Sequence, residues 1–178
     1  MEKIDVYGTL DWGCPVHPRF ANEWVLISGV GTGLGSTIAQ RAAVEGANII
    51  VHYNSSRDGA EKTARAVESY RRQALVLKAN LREWSEIKAM ANDTFNHVGV
   101  LGALINNVGD IATEQMSWRD IDESIVDRVL EVDIKGTMMM VHEFETRMLE
   151  QGHGAIVNIG STVVVNGSPR APQYAAGK

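Results

Sequence analysis

Cysteine is all but missing. Cys14 is the only one in 178 residues, so no internal disulfide can form, in keeping with a reducing cytosol. Proline is sparse too, four residues against seventeen glycines, which excludes a proline-rich disordered chain and points to tight turns. No apolar run approaches the roughly 20 residues of a membrane-spanning helix. The opening MEKIDVYGTLDWG holds no apolar stretch of the secretory kind, and a cytoplasmic location is the expectation. An excess of positive charge is also lacking. Lys and Arg number 17 against 22 Asp and Glu, a formal net charge of −5. The basic residues are scattered, which argues against a nucleic-acid surface built by phosphate neutralisation. What is present is 44 % apolar residues, enough at this length for one domain with a real core.

Residues 1–22 show no clear hydrophobic period. They carry two prolines and the aromatics Tyr7, Trp12 and Phe20, and read as an irregular arm on a domain spanning 23–178. Cys14 and His17 lie three apart, but two lone ligands fall short of a zinc site, so no metal is expected. From Trp24 an alternation begins. WVLIS, NIIVHY, ALVLKA, GALINN and GAIVNIGS read as short buried strands rich in β-branched residues. Between them GSTIAQRAAVEG, DGAEKTARAVESYRRQ, EWSEIKAMANDTFNHV and the long run 124–151 have helical spacing. Buried strands alternating with helices indicate βαβ units. Right-handed crossovers then make an α/β fold: a Rossmann-like, doubly wound parallel sheet with helices on both faces.

The first strand-to-helix turn reads Ser28-Gly29-Val30-Gly31-Thr32-Gly33-Leu34-Gly35. Glycines there let the backbone turn sharply and approach a pyrophosphate, whose charge sits at the helix N-terminus. The position after the first strand of a βαβ unit makes this a specific signal for a dinucleotide. The second strand ends at Tyr53, followed by Asn54, Ser55, Ser56 and Arg57. An NAD-selective fold places an Asp or Glu here for the ribose 2′-OH. No carboxylate stands at that place, while hydroxyls, an amide and a guanidinium can donate to a 2′-phosphate. NADP(H) is therefore favoured over NAD(H). The same Asn54-Ser55-Ser56 can also form the turn and cap the next helix at Asp58.

Taken together, Ser28-Gly-x-x-x-Gly33-x-Gly35, Asn106-Asn107-Val108-Gly109, Ser161 and Tyr174-x-x-x-Lys178 resemble the short-chain dehydrogenase/reductase family. The likeness is greatest to the branch of 3-oxoacyl-carrier-protein reductases and fungal polyketide and naphthol reductases. It runs from about Trp24 to Lys178, with the motifs in order. The resemblance implies an oxidoreductase that interconverts a small-molecule carbonyl and an alcohol. Tyr174 would be the general acid or base, Ser161 would hold the substrate oxygen, and Lys178 would bind the nicotinamide ribose. A free tyrosine titrates near pH 10, poorly matched to neutral chemistry; an ammonium one helical turn on favours the phenolate. The resemblance further implies adenine contacts at Asn80 and Leu81 and a cofactor-lining segment at Asn107, Val108 and Gly109. It also implies a homo-oligomer, with neither nucleic acid nor membrane as partner.

Four departures from the family pattern stand out. The fourth catalytic position, an Asn in the family, is Asp133 within VDIKG; a carboxylate there adds negative charge near Lys178 and is expected to blunt its effect on Tyr174. Thr32 stands where many NADP-using relatives carry Arg, and NNVG replaces NNAG. Lastly, relatives continue for roughly 60–80 residues beyond the lysine, as befits a domain of about 250 residues. The chain is therefore expected to be incomplete at its C-terminus, truncated after the fifth strand. A non-catalytic dinucleotide-binding relative is the competing class. A different Rossmann enzyme, such as a methyltransferase, leaves Ser161, Tyr174 and Lys178 unexplained. The stretch 110–124, with Met116 and Trp118, is expected to line one side of a partly apolar substrate pocket, and 163–172 the other.

Overall fold

The computed structural model describes residues 18–110, 117–167 and 170–178. Cys14, His17, most of the expected arm and Met116 lie outside the described residues. Five parallel strands, β1 (Trp24–Ile27), β2 (Asn48–Tyr53), β3 (Ala74–Lys78), β4 (Ala103–Asn106) and β5 (Ala155–Asn158), form one sheet in the order β3-β2-β1-β4-β5. The helices α1 (Gly33–Val44), α2 (Arg57–Ser69) and α3 (Trp84–Val98) make the first crossovers. The chain runs outward from β1 to β3, then returns past β1 to β4. The strand order reverses between β1 and β4, and a crevice opens there at the carboxyl ends of the strands.

Strand periodicity divides the core into two layers. Val25, Ile27, Ile49 and Val51 face one way, against Ala39 and Ala43 of α1 and Ala60, Ala64 and Val67 of α2. Leu26, Ile50 and Leu104 face the other, against Ile87 and Met90 of α3 and against Met140 and Phe144. Alternate residues thus meet opposite helix layers, which is why these strands read as continuous apolar runs. Each such buried side chain stabilises the fold by about 1.5–3 kcal/mol.

The edge strand β5 departs from the expectation of burial. Ile156 packs against the Phe144 layer, but Val157, pointing to the opposite face, is 43 % exposed. Among the described residues β5 pairs with β4 alone. The strand also ends at Asn158 rather than at Ser161.

Residues 124–151 form helical backbone, but not one uniform helix. α4 (Glu123–Val129) passes into a π-helical stretch, Leu130–Gly136, and then into α5 (Thr137–Glu150). Asp122 starts α4 by accepting the Ile125 N–H at 3.0 Å and the Ser124 hydroxyl at 2.7 Å, which holds its carboxyl below the usual range. Both acceptor bonds favour the charged form, as a helix cap should. Two short helices, α6 (Val163–Asn166) and α7 (Pro172–Gly177), follow β5. Of the arm, Phe20 and Asn22 donate to the Glu45 and Gly46 carbonyls, and Arg19 and Arg41 pair with the buried Glu45 carboxylate. Residues 18–22 are therefore tied to the end of α1.

Candidate active site

The glycine turn is bound from several sides. Gly29 has φ +71°, the left-handed region, and a Cβ there would fall 2.8 Å from Val108 Cγ2. A Cβ on Gly35 would lie 2.5 Å from the Gly29 carbonyl oxygen. Both positions admit only glycine without rearrangement. Asn107 Nδ2 donates to the Ser28 and Gly29 carbonyls at 2.9 and 3.2 Å, and the Ser28 hydroxyl accepts the Asn107 and Val108 N–H groups. Thr63 Oγ1 donates to the Val30 carbonyl at 2.9 Å. The turn, β4's end and α2 thus form one hydrogen-bonded unit.

A cleft of about 480 Å³ opens over this turn. Gly29, Gly31, Thr32, Gly33 and Leu34 form its floor, with Tyr53, Asn54, Ser55 and Ser56 at one end. Asn80 and Leu81 follow β3, and Asn107, Val108 and Gly109 follow β4. Tyr174 and Lys178 close the other end. Of the cofactor residues expected from sequence, Gly35 and Arg57 stand back from the lining, and the part of Gly35 is the close approach just described. The lining also includes His52, Val132, Ile159 and Gly160, which sequence reasoning missed. Lys178 is the only Lys, Arg, Asp or Glu among the described lining residues. The α1 N-terminus carries no acidic residue in its first turn, and its cap Thr32 makes no side-chain capping bond. Oriented N–H groups and one lining ammonium, with no carboxylate among the described lining residues, suit an anionic ligand.

Two details of the second-strand end differ from expectation. α2 begins at Arg57, one residue before the expected Asp58, and Ser56 stands at the cap position without a side-chain capping bond. Arg57 does not line the cleft: its Nε donates to Glu61 Oε1 at 2.8 Å, one helical turn on, and the side chain is 73 % exposed. A neighbouring carboxylate at i+4 captures it.

At the other end, α7 places Tyr174 and Lys178 on one face. Lys178 Nζ lies 5.9 Å from the Tyr174 ring centroid, and Tyr174 is 6 % exposed. Lys178 donates to the Val108 carbonyl at 3.0 Å and stands 3.6 Å from Asp133 Oδ2, with both side chains nearly or fully buried. Asp133 Oδ1 accepts the Asp110 N–H at 2.8 Å. Asp110 in turn pairs with Arg128. Burial pushes the Asp133 carboxyl above the ordinary range, against the Asp110 N–H and the Lys178 ammonium. Desolvation outweighs both partners, since Asp133 lies within the π-helical turn with its side chain fully buried. Such widened turns recur at functional sites.

Ser161 sits three residues beyond β5, and its Oγ accepts the Val163 N–H at 3.4 Å; it does not line the cleft. Trp118 is 57 % exposed, and residues 111–116, 168 and 169 of the expected substrate walls lie outside the described residues. Among the described residues no cluster of three or more His, Cys, Asp or Glu could hold a metal ion, and no helix is long and apolar enough to cross a membrane.

Comparison with known proteins gives the family and the fold. The family model for short chain dehydrogenases matches residues 23–178. The 3-oxoacyl-(acyl-carrier-protein) reductase FabG of Staphylococcus epidermidis is 31 % identical over 157 residues. That alignment covers 88 % of this chain and 64 % of the relative. Versicolorin reductase stcU of Emericella nidulans is 27 % identical over 160 residues, covering 90 % of this chain and 60 % of the relative. A crystal structure from Sinorhizobium meliloti 1021, assigned provisionally to the short-chain alcohol dehydrogenases, superposes with a TM-score of 0.84 at 26 % identity. It matches 92 % of this chain and 64 % of its own. The chain spans somewhat less than two thirds of the length of these relatives.

Proposed function

Because the chain belongs to the short-chain dehydrogenase family, we propose that it is the dinucleotide-binding and catalytic part of an NADP(H)-dependent oxidoreductase that interconverts a carbonyl and an alcohol. The observation that carries this reading is the single cleft joining the glycine turn to Tyr174 and Lys178. A nicotinamide dinucleotide fits the residues present: the turn has glycine where a Cβ would collide, and the described lining residues include no carboxylate. When bound, that group supplies the hydride.

This chain's own residues orient and protonate. The turn and the α1 N-terminus hold the pyrophosphate, Asn80 and Leu81 border the adenine, and Asn107, Val108 and Gly109 flank the nicotinamide side. Tyr174 gives its phenolic proton to the substrate oxygen in reduction and takes one in oxidation. Lys178, one turn away, favours the phenolate and binds the ribose. Ser161 holds the substrate oxygen by a hydrogen bond. The NADP(H) preference is supported by Tyr53, Asn54, Ser55 and Ser56 at the cleft end where an NAD-selective fold carries Asp or Glu. It has no support from Arg57, which Glu61 engages. A homo-oligomer is supported by Leu130, Ile134 and Met138, spaced four apart and 40, 37 and 60 % exposed.

The test uses the protein that carries this chain, with NADPH and a panel of ketones and aldehydes. Tyr174→Phe is expected to lower kcat by at least about 100-fold, the scale of a lost acid or base, with NADPH affinity changed little. Retained turnover would refute the role given to Tyr174.

One observation favours a second reading, a dinucleotide-binding relative with impaired chemistry. Asp133 stands 3.6 Å from Lys178, and its carboxylate opposes the influence of that ammonium on the Tyr174 phenolate.

A further inference from the structure

His52 is the penultimate residue of β2, buried to 1 % exposure, and lines the cleft beneath the glycine turn. Its ring makes two hydrogen bonds. Nδ1 faces the Gly29 N–H at 3.1 Å, and Nε2 faces the Ala79 carbonyl at 2.9 Å. A carbonyl can only accept, so Nε2 carries the proton and Nδ1 is the bare acceptor. The ring is therefore neutral, with its tautomer fixed by these partners. The main chain of the same residue adds a third bond, the His52 carbonyl accepting the Val30 N–H at 3.1 Å. Two successive N–H groups of the turn thus end on one residue. The ring also links two parts of the cleft, because Ala79 directly precedes the lining residues Asn80 and Leu81.

We propose that His52 is a positioning residue for the dinucleotide: its imidazole Nδ1 takes up the Gly29 N–H, and so keeps the glycine turn in the form that receives a pyrophosphate. The inference rests on the dinucleotide reading above and needs none of the chemistry assigned to Tyr174. Without that acceptor the N–H of the half-buried Gly29 loses its partner, and the turn relaxes toward conformations that solvate it. Binding then selects a minor form, and the observed affinity falls by the fraction of turns still in place. The N–H groups from Gly33 onward, at the start of α1, are left for the phosphates.

Two substitutions separate the two halves of the ring. Asn carries an oxygen near the place of Nδ1 but does not reach Ala79. Gln carries a nitrogen near the place of Nε2 and leaves Gly29 without an acceptor. Affinities of NADPH, ADP and adenosine are measured by titration and competition on wild type, His52→Gln and His52→Asn. For His52→Gln, NADPH and ADP are expected to weaken by about tenfold or more, equivalent to about 1.4 kcal/mol, while adenosine changes less than about twofold. For His52→Asn, all three are expected to stay within about threefold of wild type. Should His52→Gln fail to fold, 15N NMR of the wild type decides, through a hydrogen-bond coupling between the Gly29 amide and the His52 Nδ1. Equal NADPH affinity in wild type and His52→Gln, equal loss of ADP and adenosine, or no such coupling overturns the proposal while leaving the dinucleotide reading intact. A wild type that binds no dinucleotide overturns both.

Discussion

The two ends of the cleft are built differently. At the end with the glycine turn, β1 and β2 are buried on both faces, and the turn between β1 and α1 is held by His52, Asn107 and Thr63 through separate hydrogen bonds. At the end with Tyr174 and Lys178, β5 is an edge strand among the described residues with Val157 half in solvent, α6 spans four residues and α7 six. Isolated helices so short are marginal in water. There the position of Lys178 rests on the Val108 carbonyl and the Asp133 carboxylate. The glycine-turn end is thus held by many contacts within the chain, whereas the Tyr174–Lys178 end rests on short helices beside an edge strand and on a buried ion pair. Pre-organisation at the first end suits a large common ligand; sparse support at the second leaves the chemistry sensitive to single residues.

That contrast is open to direct attack. Leu26→Ala, at a side chain with no exposed surface in the centre of the sheet, is expected to destabilise the fold by about 2–5 kcal/mol in urea unfolding. Val157→Ala on β5 is expected to cost less than about 1 kcal/mol. Similar costs at the two sites would erase the distinction.

Acid provides a second probe. Burial lowers the His52 pKa from 6.5 to about 4, although its bond to Ala79 raises it. Between those values the unfolded chain binds the extra proton and the folded chain does not, so stability rises with pH across the window. The contribution is fully present above about pH 6.5 and is lost as the pH falls toward 4, in total about 3 kcal/mol. His52→Asn should flatten that part of the stability profile; an unchanged profile would show that another group governs it.

The smallest effect concerns Asp133. Asp133→Asn removes the carboxylate beside Lys178, and in the protein that carries this chain kcat is expected to rise by roughly three- to tenfold, about 1 kcal/mol of barrier. The basic limb of its pH–rate profile should also move to lower pH. No gain would favour the impaired relative over a detuned enzyme.

Much of the fold was legible because it depends on local pattern. The limits of NIIVHY are those of β2, and the glycine run after WVLI is the turn. Tyr174 and Lys178 share a helical face, as their spacing requires. What sequence did not convey depends on contacts between distant segments. The π-helical turn over Leu130–Gly136 leaves the apolar spacing of that run helical, so nothing in its period marks the widening. His52 reads as one polar residue in a strand; its role follows from the backbone at Gly29 and the end of β3 coming together around it. Glu61 follows Arg57 by four residues, a visible i,i+4 pair, yet whether a guanidinium turns to its helix neighbour or to the cleft is settled by packing. The exposure of β5 likewise comes from its place at the edge of the described sheet, since Ile156 and Val157 are as apolar as the residues of β1.

The central claim is that the cleft over the glycine turn takes a phosphorylated nicotinamide dinucleotide. Its most direct test is a titration of the folded chain with NADPH and, in parallel, NADH, followed by cofactor fluorescence. Saturable binding below about 1 mM, the upper end of ordinary affinities for such ligands, with NADPH tighter than NADH, is the expected result. A folded chain that binds neither at that concentration would contradict the account.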